Sequence, residues 1–476
     1  MRVLSSLISW LFFGLSRSDR PWSLSRSCLS LGLIVLLNSW FPALEAGIHS
    51  APIVMTAIRL KQAAQFPLHR YRLYKRGVDG EAVPIPFQMD EINKIGDYVM
   101  SDGPKTNAET GNGIFDGLDE LCFMGDDVGP IGRPSKWPDD REPQNVFEIR
   151  LKPPAHLKDL PEGAVYLAIY QTPPALTSDQ KYVIFNLAAG EVLTSRYRYM
   201  FDRKNYLVVN GVDMVPHQSQ VQTQTGIEPP LKIPLIDSST FYAKADLKYF
   251  LTVQVNHRSV NSRLEAYKSG PVRTLVRVTF FYSFLKLKFE VGMYTEVSFF
   301  SNSVILPAII YNPLDGIKSL NKGSGFYYGF ALRDNPKTYT FDTNMRPYEE
   351  SDDKGGVLGL LKKEPSPVAE YWASLVGDDR MMYVLMRPSS QMLQDGNVPF
   401  YYLSDKSGDE LKKRNNDDLR TLVDSPVNLG LYFDLTRFRE GEHLMSFQLF
   451  FENKKDYKSL ETFRTLDRWS MKVSRI

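Results

Sequence analysis

Apolar and polar residues alternate along much of the chain. Apolar or β-branched residues recur at every second position in the segments 272–280, 289–297, 429–435 and 447–451. A period of two gives a strand one buried face and one wet face, which is typical of antiparallel sheets. Because no helical patterns alternate with these segments, we predict a mainly β fold, a large antiparallel β-sandwich (supersandwich-like) with few short helices, one of them at 457–463.

Local signals add detail to this prediction. Asn210-Gly211 lies between two apolar runs, and Asn-Gly supplies the two positive φ angles of a type I′ turn, so we predict a tight hairpin there. Tyr197, Tyr199 and Phe201 share one strand face, and we interpret this aromatic stripe as core.

The first 46 residues differ from the rest of the chain. Three arginines precede an apolar run at 29–37, and small residues follow at 43–46. A basic flank, a short apolar core and small residues form a secretory signal. The apolar run is too short to cross a bilayer comfortably, which takes about 20 residues. We therefore predict a signal peptide at 1–46 and a periplasmic or extracellular mature chain that begins near Gly47 and has no membrane span. An uncleaved membrane anchor is the alternative.

Length and composition bound the domain organisation. The chain has 476 residues, of which 43% are hydrophobic, so it can bury a large core. The segment 129–145 contains four prolines and mixed charge, which is typical of a linker. We predict an N-terminal β region with an Asp-rich loop at 47–145 and the main sandwich at 146–476, with one continuous domain as the alternative. The polar stretch 405–424 is predicted to be an exposed loop or a solvated helix.

Charge and cysteine content narrow the range of partners and bonds. Basic and acidic residues balance once the predicted leader is removed. Because no basic footprint remains, the composition predicts no nucleic-acid partner. Of the two cysteines, Cys28 lies in the leader and Cys122 lies in an apolar run, which predicts a core thiol and no internal disulfide in the mature chain.

An Asp-rich loop at 108–120 has the spacing of a calcium-binding loop. Such loops place oxygen ligands at positions 1, 3, 5, 7, 9 and 12, with glycine at position 6. Gly113 occupies the glycine position, but Ala108 stands where the first carboxylate belongs, so we predict a weak calcium site. An Asx- and Gly-rich turn that caps its own backbone is the alternative. The predicted metal ligands are Thr110, Asn112, the carbonyl of Ile114, Asp116 and Asp119.

Three short phrases carry a resemblance. They are Pro-Ile-Pro-Phe-Gln-Met-Asp-Glu at 84–91, Asn-Gly-Ile-Phe-Asp-Gly-Leu-Asp-Glu-Leu-Cys-Phe at 112–123, and Ser-Gly-Pro-Val-Arg at 269–273. Together they resemble uncharacterised exported bacterial β-sandwich proteins, some of which are similar to the galactose-mutarotase-like sandwiches found with polysaccharide-degrading enzymes. The resemblance implies a large antiparallel sandwich and a sugar-like ligand, and it assigns no catalytic residue.

Four residues are candidates for ligand binding. Trp372 is a candidate flat platform for a sugar ring. Arg273 is a candidate clamp for an acidic sugar, with an internal ion pair as the alternative. His217 and His257 lie nearest the central strands, and a structural role is the alternative to a catalytic one.

Two functions fit these patterns. The first is an exported β-sandwich protein that binds a ligand, with carbohydrate as the predicted class and no assigned reaction. The second is a carbohydrate-active enzyme of the lyase or epimerase type, with its site in the sandwich cleft. A histidine and a carboxylate that converge in one aromatic-lined pocket would favour the enzyme. Asp90 and Glu91 are adjacent, so on a strand they point to opposite faces and are poor partners for one acid–base pair.

Overall fold

The fold was obtained as a computed structural model. It describes residues 51–157, 160–175, 178, 180–215, 233–248, 251–256, 260–284, 287–312, 315–333, 340–343, 349–350, 357–358, 371–377, 380–389, 400–404, 427–452 and 469–476. Of these residues, 59% lie in strands and 7% in helices, none of seven or more residues, so the predicted mainly β fold is confirmed. The predicted leader, the predicted helix at 457–463, the polar stretch at 405–424, His217 and His257 lie outside the described residues.

Within the described ranges, the strands, numbered β1–β27 along the chain, form four antiparallel sheets. The two largest sheets have eleven and eight strands. The eleven-stranded sheet contains β8 (Val183–Asn186), β9 (Glu191–Thr194), β10 (Tyr197–Asp202), β11 (Asn205–Met214), β12 (Ile233–Leu247), β13 (Leu251–Asn256), β18 (Gly325–Leu332), β20 (Glu349–Glu350), β21 (Val357–Leu358), β24 (Phe400–Ser404) and β25 (Val427–Asp434). The eight-stranded sheet contains β14 (Val260–Ser269), β15 (Thr274–Phe284), β16 (Leu287–Phe299), β17 (Ser303–Asn312), β26 (Gly441–Glu452), β23 (Met381–Pro388), β22 (Tyr371–Val376) and β19 (Thr340–Thr343), in that order across the sheet.

The two smaller sheets come mainly from the N-terminal part of the chain. The three-stranded sheet contains β1 (Pro52–Thr56), β5 (Glu120–Met124) and β4 (Phe87–Asp90), in that order. The five-stranded sheet contains β27 (Ser470–Arg475), β6 (Asn145–Lys152), β7 (Gly163–Ile169), β2 (Tyr71–Arg76) and β3 (Ala82–Pro84), in that order. The helices in the part of the chain that the structure describes are single turns at Leu68–Arg70, Ala108–Thr110, Gly125–Asp127, Pro138–Asp140, Ala155–Leu157, Gly316–Ser319 and Leu435–Arg437.

The two large sheets pack face to face as a sandwich. Val276 and Val278 of β15 meet Leu429 and Leu431 of β25 in one apolar core. These residues face the core as the alternation predicts, but the face of β15 that was expected to be wet is buried too, since Leu275 is 0% and Arg277 is 6% exposed. Burial of one face of each sheet is the main stabilising term, because apolar burial contributes roughly 25 cal/mol per Å².

The three-stranded sheet is buried on both faces. Leu121 and Phe123 of β5 pack toward the five-stranded sheet, whereas Cys122 and Met124 pack against the outer face of the eight-stranded sheet. The apolar run around Cys122 is continuous because both faces of β5 are covered. The prediction that Cys122 is a core thiol is confirmed. The sheets therefore stack in four layers, in the order five, three, eight and eleven strands. An apolar core lies between each pair of neighbouring layers.

The predicted hairpin at Asn210-Gly211 is wrong. β11 runs through these residues, and the turn lies earlier, between Asp202 and Asn205. The pairing of β10 with β11 shifts register between Val209 and Gly211, so Asn210 is the extra residue of a bulge. Gly211 takes a φ of +146°, and a β-carbon there would lie 2.7 Å from the Met200 side chain. Asn-Gly suits a bulge for the same reason that it suits a turn.

The five-stranded sheet spans the boundary predicted at 145/146. β6 pairs with β7, and β7 pairs with β2 from the N-terminal region. The C-terminal strand β27 closes the other edge of this sheet beside β6. Trp137, in the segment interpreted as a linker, is buried against Tyr74 of β2. Among the described residues, no helix has the length and apolar character needed to cross a membrane.

Candidate functional site

The three sequence segments that carry the resemblance lie together at one place in the fold. β4 and β5 pair so that Asp90 lies directly opposite Glu120, and Gln88 lies opposite Cys122. Residues directly opposite on neighbouring strands share a face. Arg273, just before β15, reaches this face from the eight-stranded sheet. Residues more than 180 positions apart thus form one polar cluster between the two sheets.

Arg273 is the centre of this cluster and is only 2% exposed. Its Nε donates to Oδ2 of Asp90 at 2.8 Å, and its Nη2 donates to Oε2 of Glu120 at 2.6 Å. The guanidinium also lies 5.1 Å from the ring centre of Tyr98 and 5.8 Å from that of Phe300. Arg273 therefore forms an internal ion pair with carboxylates of the protein itself, the arrangement that the sequence offered as the alternative to a clamp for an acidic sugar.

The remaining members complete the hydrogen bonding of the carboxylates. Lys268 Nζ lies 2.7 Å from Oδ1 of Asp90, and Gln88 Nε2 donates to both oxygens of Asp90. Burial alone would raise the pKa of Asp90, but Arg273 and Lys268 more than offset burial and hold it at about 2. A β-carbon at Gly270 would lie 1.9 Å from Oε1 of Gln88, so a larger residue there would displace the Gln88 amide from its hydrogen bonds. We call Gln88, Asp90, Tyr98, Glu120, Lys268 and Arg273 the Arg273 cluster.

Tyr98 connects this buried cluster to the surface. Its hydroxyl donates to Oε2 of Glu120 at 2.8 Å, and its backbone carbonyl accepts from Arg277 Nη2 at 2.7 Å. The same guanidinium donates twice to Oε1 of Glu296, at 2.9 and 2.6 Å. Arg277 and Glu296 are directly opposite on β15 and β16, so the strand register sets this pair.

Arg277, which is only 6% exposed, lies 5.3 Å from the ring centre of Tyr294, which is 41% exposed. The hydroxyl of Tyr294 donates to Asp97. Burial raises the pKa of Glu296 to about 7, and the attraction of Arg277 only partly opposes that rise. We call Asp97, Arg277, Tyr294 and Glu296 the Tyr294 cluster. Its tyrosine ring is exposed, Asp97 and Glu296 are partly buried, and Arg277 is buried beside them.

The segment that carries Asp97 is held to the sheet by its backbone. Asp102 exchanges two backbone hydrogen bonds with Tyr267 of β14, at 3.1 and 2.8 Å, and Lys105 N donates to Glu265 O at 2.7 Å. Lys105 Nζ also forms an ion pair with Glu265 at 2.7 Å. These bonds fix the position of Asp97 relative to β16, so the cluster is formed before any ligand arrives.

The side chains of the predicted calcium loop form hydrogen bonds within the protein that hold the loop in its conformation. Glu91 Oε1 accepts from the backbone N–H groups of Asn112 and Gly113, at 2.8 and 2.7 Å. The amide oxygen of Asn112 accepts from Ile114 N at 2.8 Å, and its Nδ2 donates to Asp116 Oδ2 at 3.0 Å. These contacts are those of an Asx turn, the alternative that the sequence left open.

Two other predicted metal ligands are engaged as well. Asp119 accepts from Ile92 N at 2.7 Å with one oxygen and from Asp116 N at 2.9 Å with the other. Burial, together with the nearby Asp116 and Glu91 carboxylates, raises the pKa of Asp119 to about 6. Thr110 donates to the Asn107 carbonyl at 2.7 Å. Within the described ranges, no three His, Cys, Asp or Glu side chains are arranged to hold a metal ion. Calcium binding therefore stays a prediction.

Trp372 does not present the exposed platform expected from the sequence. It is 6% exposed and stacks on Tyr383, with ring centres 5.4 Å apart and planes 23° apart. Asp90 and Glu91 point in different directions, as predicted, since Asp90 faces Arg273 and Glu91 faces the loop. The aromatic stripe on β10 is buried, which confirms its interpretation as core.

The sequence did not identify the Tyr294 cluster. Tyr294 and Glu296 lie within a segment read only as an alternating strand, in which tyrosine is equally suited to the core and to the surface. The available signal was a charged pair, Arg277 and Glu296, at positions that alternate with apolar residues. Only the register of β15 and β16 shows that the pair is in contact.

These layers and clusters define a large antiparallel β-sandwich protein. No protein-family model matches the sequence, and no curated protein matches it. Solved structures with a detectable likeness include an α-mannosidase from Enterococcus faecalis, at 9% identity and a TM-score of 0.40, covering 90% of this chain and 45% of that one. A glycosyl hydrolase family 38 protein from Enterococcus faecalis has 8% identity and a TM-score of 0.38, covering 91% of this chain and 46% of that one. The chain thus spans less than half the length of these two proteins. Likenesses at this level assign neither a family nor an activity.

Proposed function

We propose that the protein is an exported β-sandwich that binds carbohydrate, and that the Tyr294 cluster contacts the sugar. The observation that supports this proposal is the exposed ring of Tyr294 between a guanidinium and two carboxyl groups. A sugar ring has an apolar C–H face that packs on an aromatic ring. Its hydroxyl groups donate to carboxylate oxygens, and the partly buried Asp97 and Glu296 are the carboxyl groups of this cluster.

The connection to the Arg273 cluster supports a preformed site. Through Tyr98, Arg277 is tied to Glu120 and Arg273, which are buried and hydrogen-bonded. A site held in its binding geometry loses little conformational entropy when the ligand arrives. Sugar ligands are strongly hydrated, so a small gain of this kind is a large part of their affinity.

One observation favours the enzyme as a second candidate. Glu296, with a pKa raised to about 7, lies close enough to Asp97 for the two carboxyl groups to interact. A carboxyl group with a raised pKa beside a second carboxyl group is the arrangement that general acid–base catalysis uses on sugars. Glu296→Gln separates the two functions, since it would abolish turnover of a sugar substrate and leave binding largely intact.

A glycan array probed with the purified mature protein tests the proposal. We expect wild type and Val78→Ala to bind the same glycans, because Val78 is 99% exposed in the turn between β2 and β3 and belongs to neither cluster. Tyr294→Ala should lose this binding. If wild type binds no glycan on the array, or if Tyr294→Ala binds as wild type does, the assignment of this site is wrong.

A further inference from the structure

A row of three residues extends from the Tyr294 cluster across the outer face of the eight-stranded sheet. Tyr294 on β16 lies directly opposite Thr279 on β15, and Thr279 lies directly opposite Arg263 on β14. Residues directly opposite on neighbouring strands share a face. Leu264 and Val278, which are the chain neighbours of Arg263 and Thr279, face the core of the sandwich. Because side chains alternate along a strand, the row lies on the outer face.

The two ends of this row are open to solvent. Tyr294 is 41% exposed, and the side chain of Arg263 is 44% exposed. Thr279, the shorter side chain between them, is 7% exposed and hydrogen-bonded to Glu265. Neighbouring strands lie about 4.8 Å apart, so the backbones of Tyr294 and Arg263 are separated by about 10 Å. A ligand of two sugar units is long enough to contact both side chains.

The end of the row at β14 carries an excess of positive charge. Lys105 Nζ lies 2.7 Å from Oε1 of Glu265, and Arg263 Nη2 lies 3.7 Å from the same oxygen. The two cations have side chains that are 60% and 44% exposed, whereas Glu265 is only 12% exposed. Lys105 is the nearer partner of Glu265. An incoming anion can therefore pair with Arg263 while Glu265 keeps its closer ion pair.

The end of the row at β16 has the opposite balance of charge. Two carboxyl groups, those of Asp97 and Glu296, lie there with one buried guanidinium, that of Arg277. An anionic group of a ligand is therefore disfavoured beside the Tyr294 ring and favoured at the other end. A separation of about 10 Å is close to the screening length at physiological salt, so the carboxyl groups repel an anion at Arg263 only weakly.

We propose that the carbohydrate bound at the Tyr294 cluster is acidic, and that Arg263 pairs with its carboxylate or sulfate group. A guanidinium binds oxyanions through paired, charge-assisted hydrogen bonds. Tyr294 packs on the C–H face of the adjoining sugar unit. This specificity rests on the carbohydrate binding proposed above, because Tyr294 holds the sugar whose neighbour Arg263 selects.

Matched acidic and neutral glycans test this specificity. An array would carry uronic-acid oligosaccharides beside their methyl esters, and sulfated oligosaccharides beside their desulfated forms. We expect wild type to bind at least one acidic member about tenfold or more tightly than its neutral counterpart, because hydrogen bonds to charged groups are the strong ones. Added salt should weaken binding of that acidic member and leave the neutral one unchanged. The pair that responds identifies the anion as carboxylate or sulfate.

Variants of Arg263 assign the effect to this side chain. Arg263→Gln removes the charge from an exposed position and should fold, because exposed ion pairs contribute little stability. It should bind the acidic and neutral glycans alike, whereas Arg263→Lys should keep part of the preference. Arg333→Gln is the matched control and should keep all of it. Arg333 has a side chain that is 48% exposed and directly follows β18 of the eleven-stranded sheet.

Two results would overturn the acidic specificity. One is a wild type that binds acidic and neutral glycans equally, and the other is a preference that survives in Arg263→Gln. In both cases, loss of binding in Tyr294→Ala would show that the carbohydrate site stands and that only its specificity is wrong. If wild type binds no glycan of either kind, both proposals fail.

Discussion

Arg273→Ala is the perturbation whose effect follows most directly from the structure. It removes the guanidinium that bonds both Asp90 and Glu120, and it leaves two buried carboxylates with weaker partners. Breaking a buried ion pair by deleting one member costs about 3–5 kcal/mol. Lys268 and Gln88 still neutralise and bond Asp90, so we place the loss near the lower end, at about 3 kcal/mol.

An exposed arginine of similar geometry serves as the control. Arg333 lies 2.9 Å from Asp237, but their side chains are 48% and 52% exposed. Exposed pairs contribute about 0–1 kcal/mol, so Arg333→Ala should change stability little. Arg273→Lys should fall between the two, because lysine keeps the charge and loses the two-armed geometry that bridges two carboxylates.

Urea unfolding of the three variants measures these differences as shifts in midpoint at constant slope. A second readout is the thiol of Cys122, which is buried beside Gln88 on the same small sheet. In a Cys28→Ser background, Arg273→Ala should speed native-state labelling of Cys122, because the three-stranded sheet is held less firmly. Equal losses for Arg273→Ala and Arg333→Ala, with unchanged labelling, would refute the reasoning.

Three further predictions follow from the loop and the leader. The pKa of Asp119 rises from its ordinary value of 3.8 to about 6 in the fold. Between these two pH values the folded state therefore binds the proton more tightly than the unfolded state. The free energy of unfolding should fall as pH rises from about 4 to 6, by on the order of 3 kcal/mol. Urea midpoints across this range should show that slope in wild type, and Asp119→Asn should reduce it to the part contributed by Asp127, whose pKa burial also raises to about 6; an unchanged slope contradicts the assignment. If the loop binds calcium, thermal melts should show that millimolar calcium stabilises wild type by about 1 kcal/mol over EDTA or magnesium. Asp116→Ala should lose this effect, and Ala108→Asp should enlarge it. Identical melts in all three conditions would favour the Asx turn without an ion. Terminal sequencing of protein from the native host should find a new N-terminus near Gly47, and an intact leader on soluble protein contradicts the predicted signal.

The sequence predicted the strands and their buried faces better than it predicted which strands and sheets pack together. Alternation on β15 and β25 revealed the buried faces, because the hydrophobic pattern of a strand is local. The meeting of Asp90, Glu120 and Arg273 was not predictable in this way. It depends on the register of β4 with β5 and on the packing of two separate sheets, and neither is encoded within a short window of sequence.

The failures have physical reasons as well. Asn210-Gly211 tolerates positive φ in a bulge and in a turn, so the dipeptide alone does not say which one forms. The indole of Trp372 was expected at the surface, but a strand start inside a four-layer stack is covered on both sides. Tyr294 was overlooked because an alternating pattern shows that a strand has two faces and not which face is wet.

The central claim is that the Tyr294 ring contacts a sugar, and calorimetric titration tests it most directly. A glycan selected on the array would be titrated into wild type, Tyr294→Ala and Tyr294→Phe. Loss of the ring should weaken binding by about tenfold or more, equivalent to about 1.4 kcal/mol, whereas phenylalanine keeps the stacking face and should bind within about threefold of wild type. Equal affinity for all three proteins would contradict the claim.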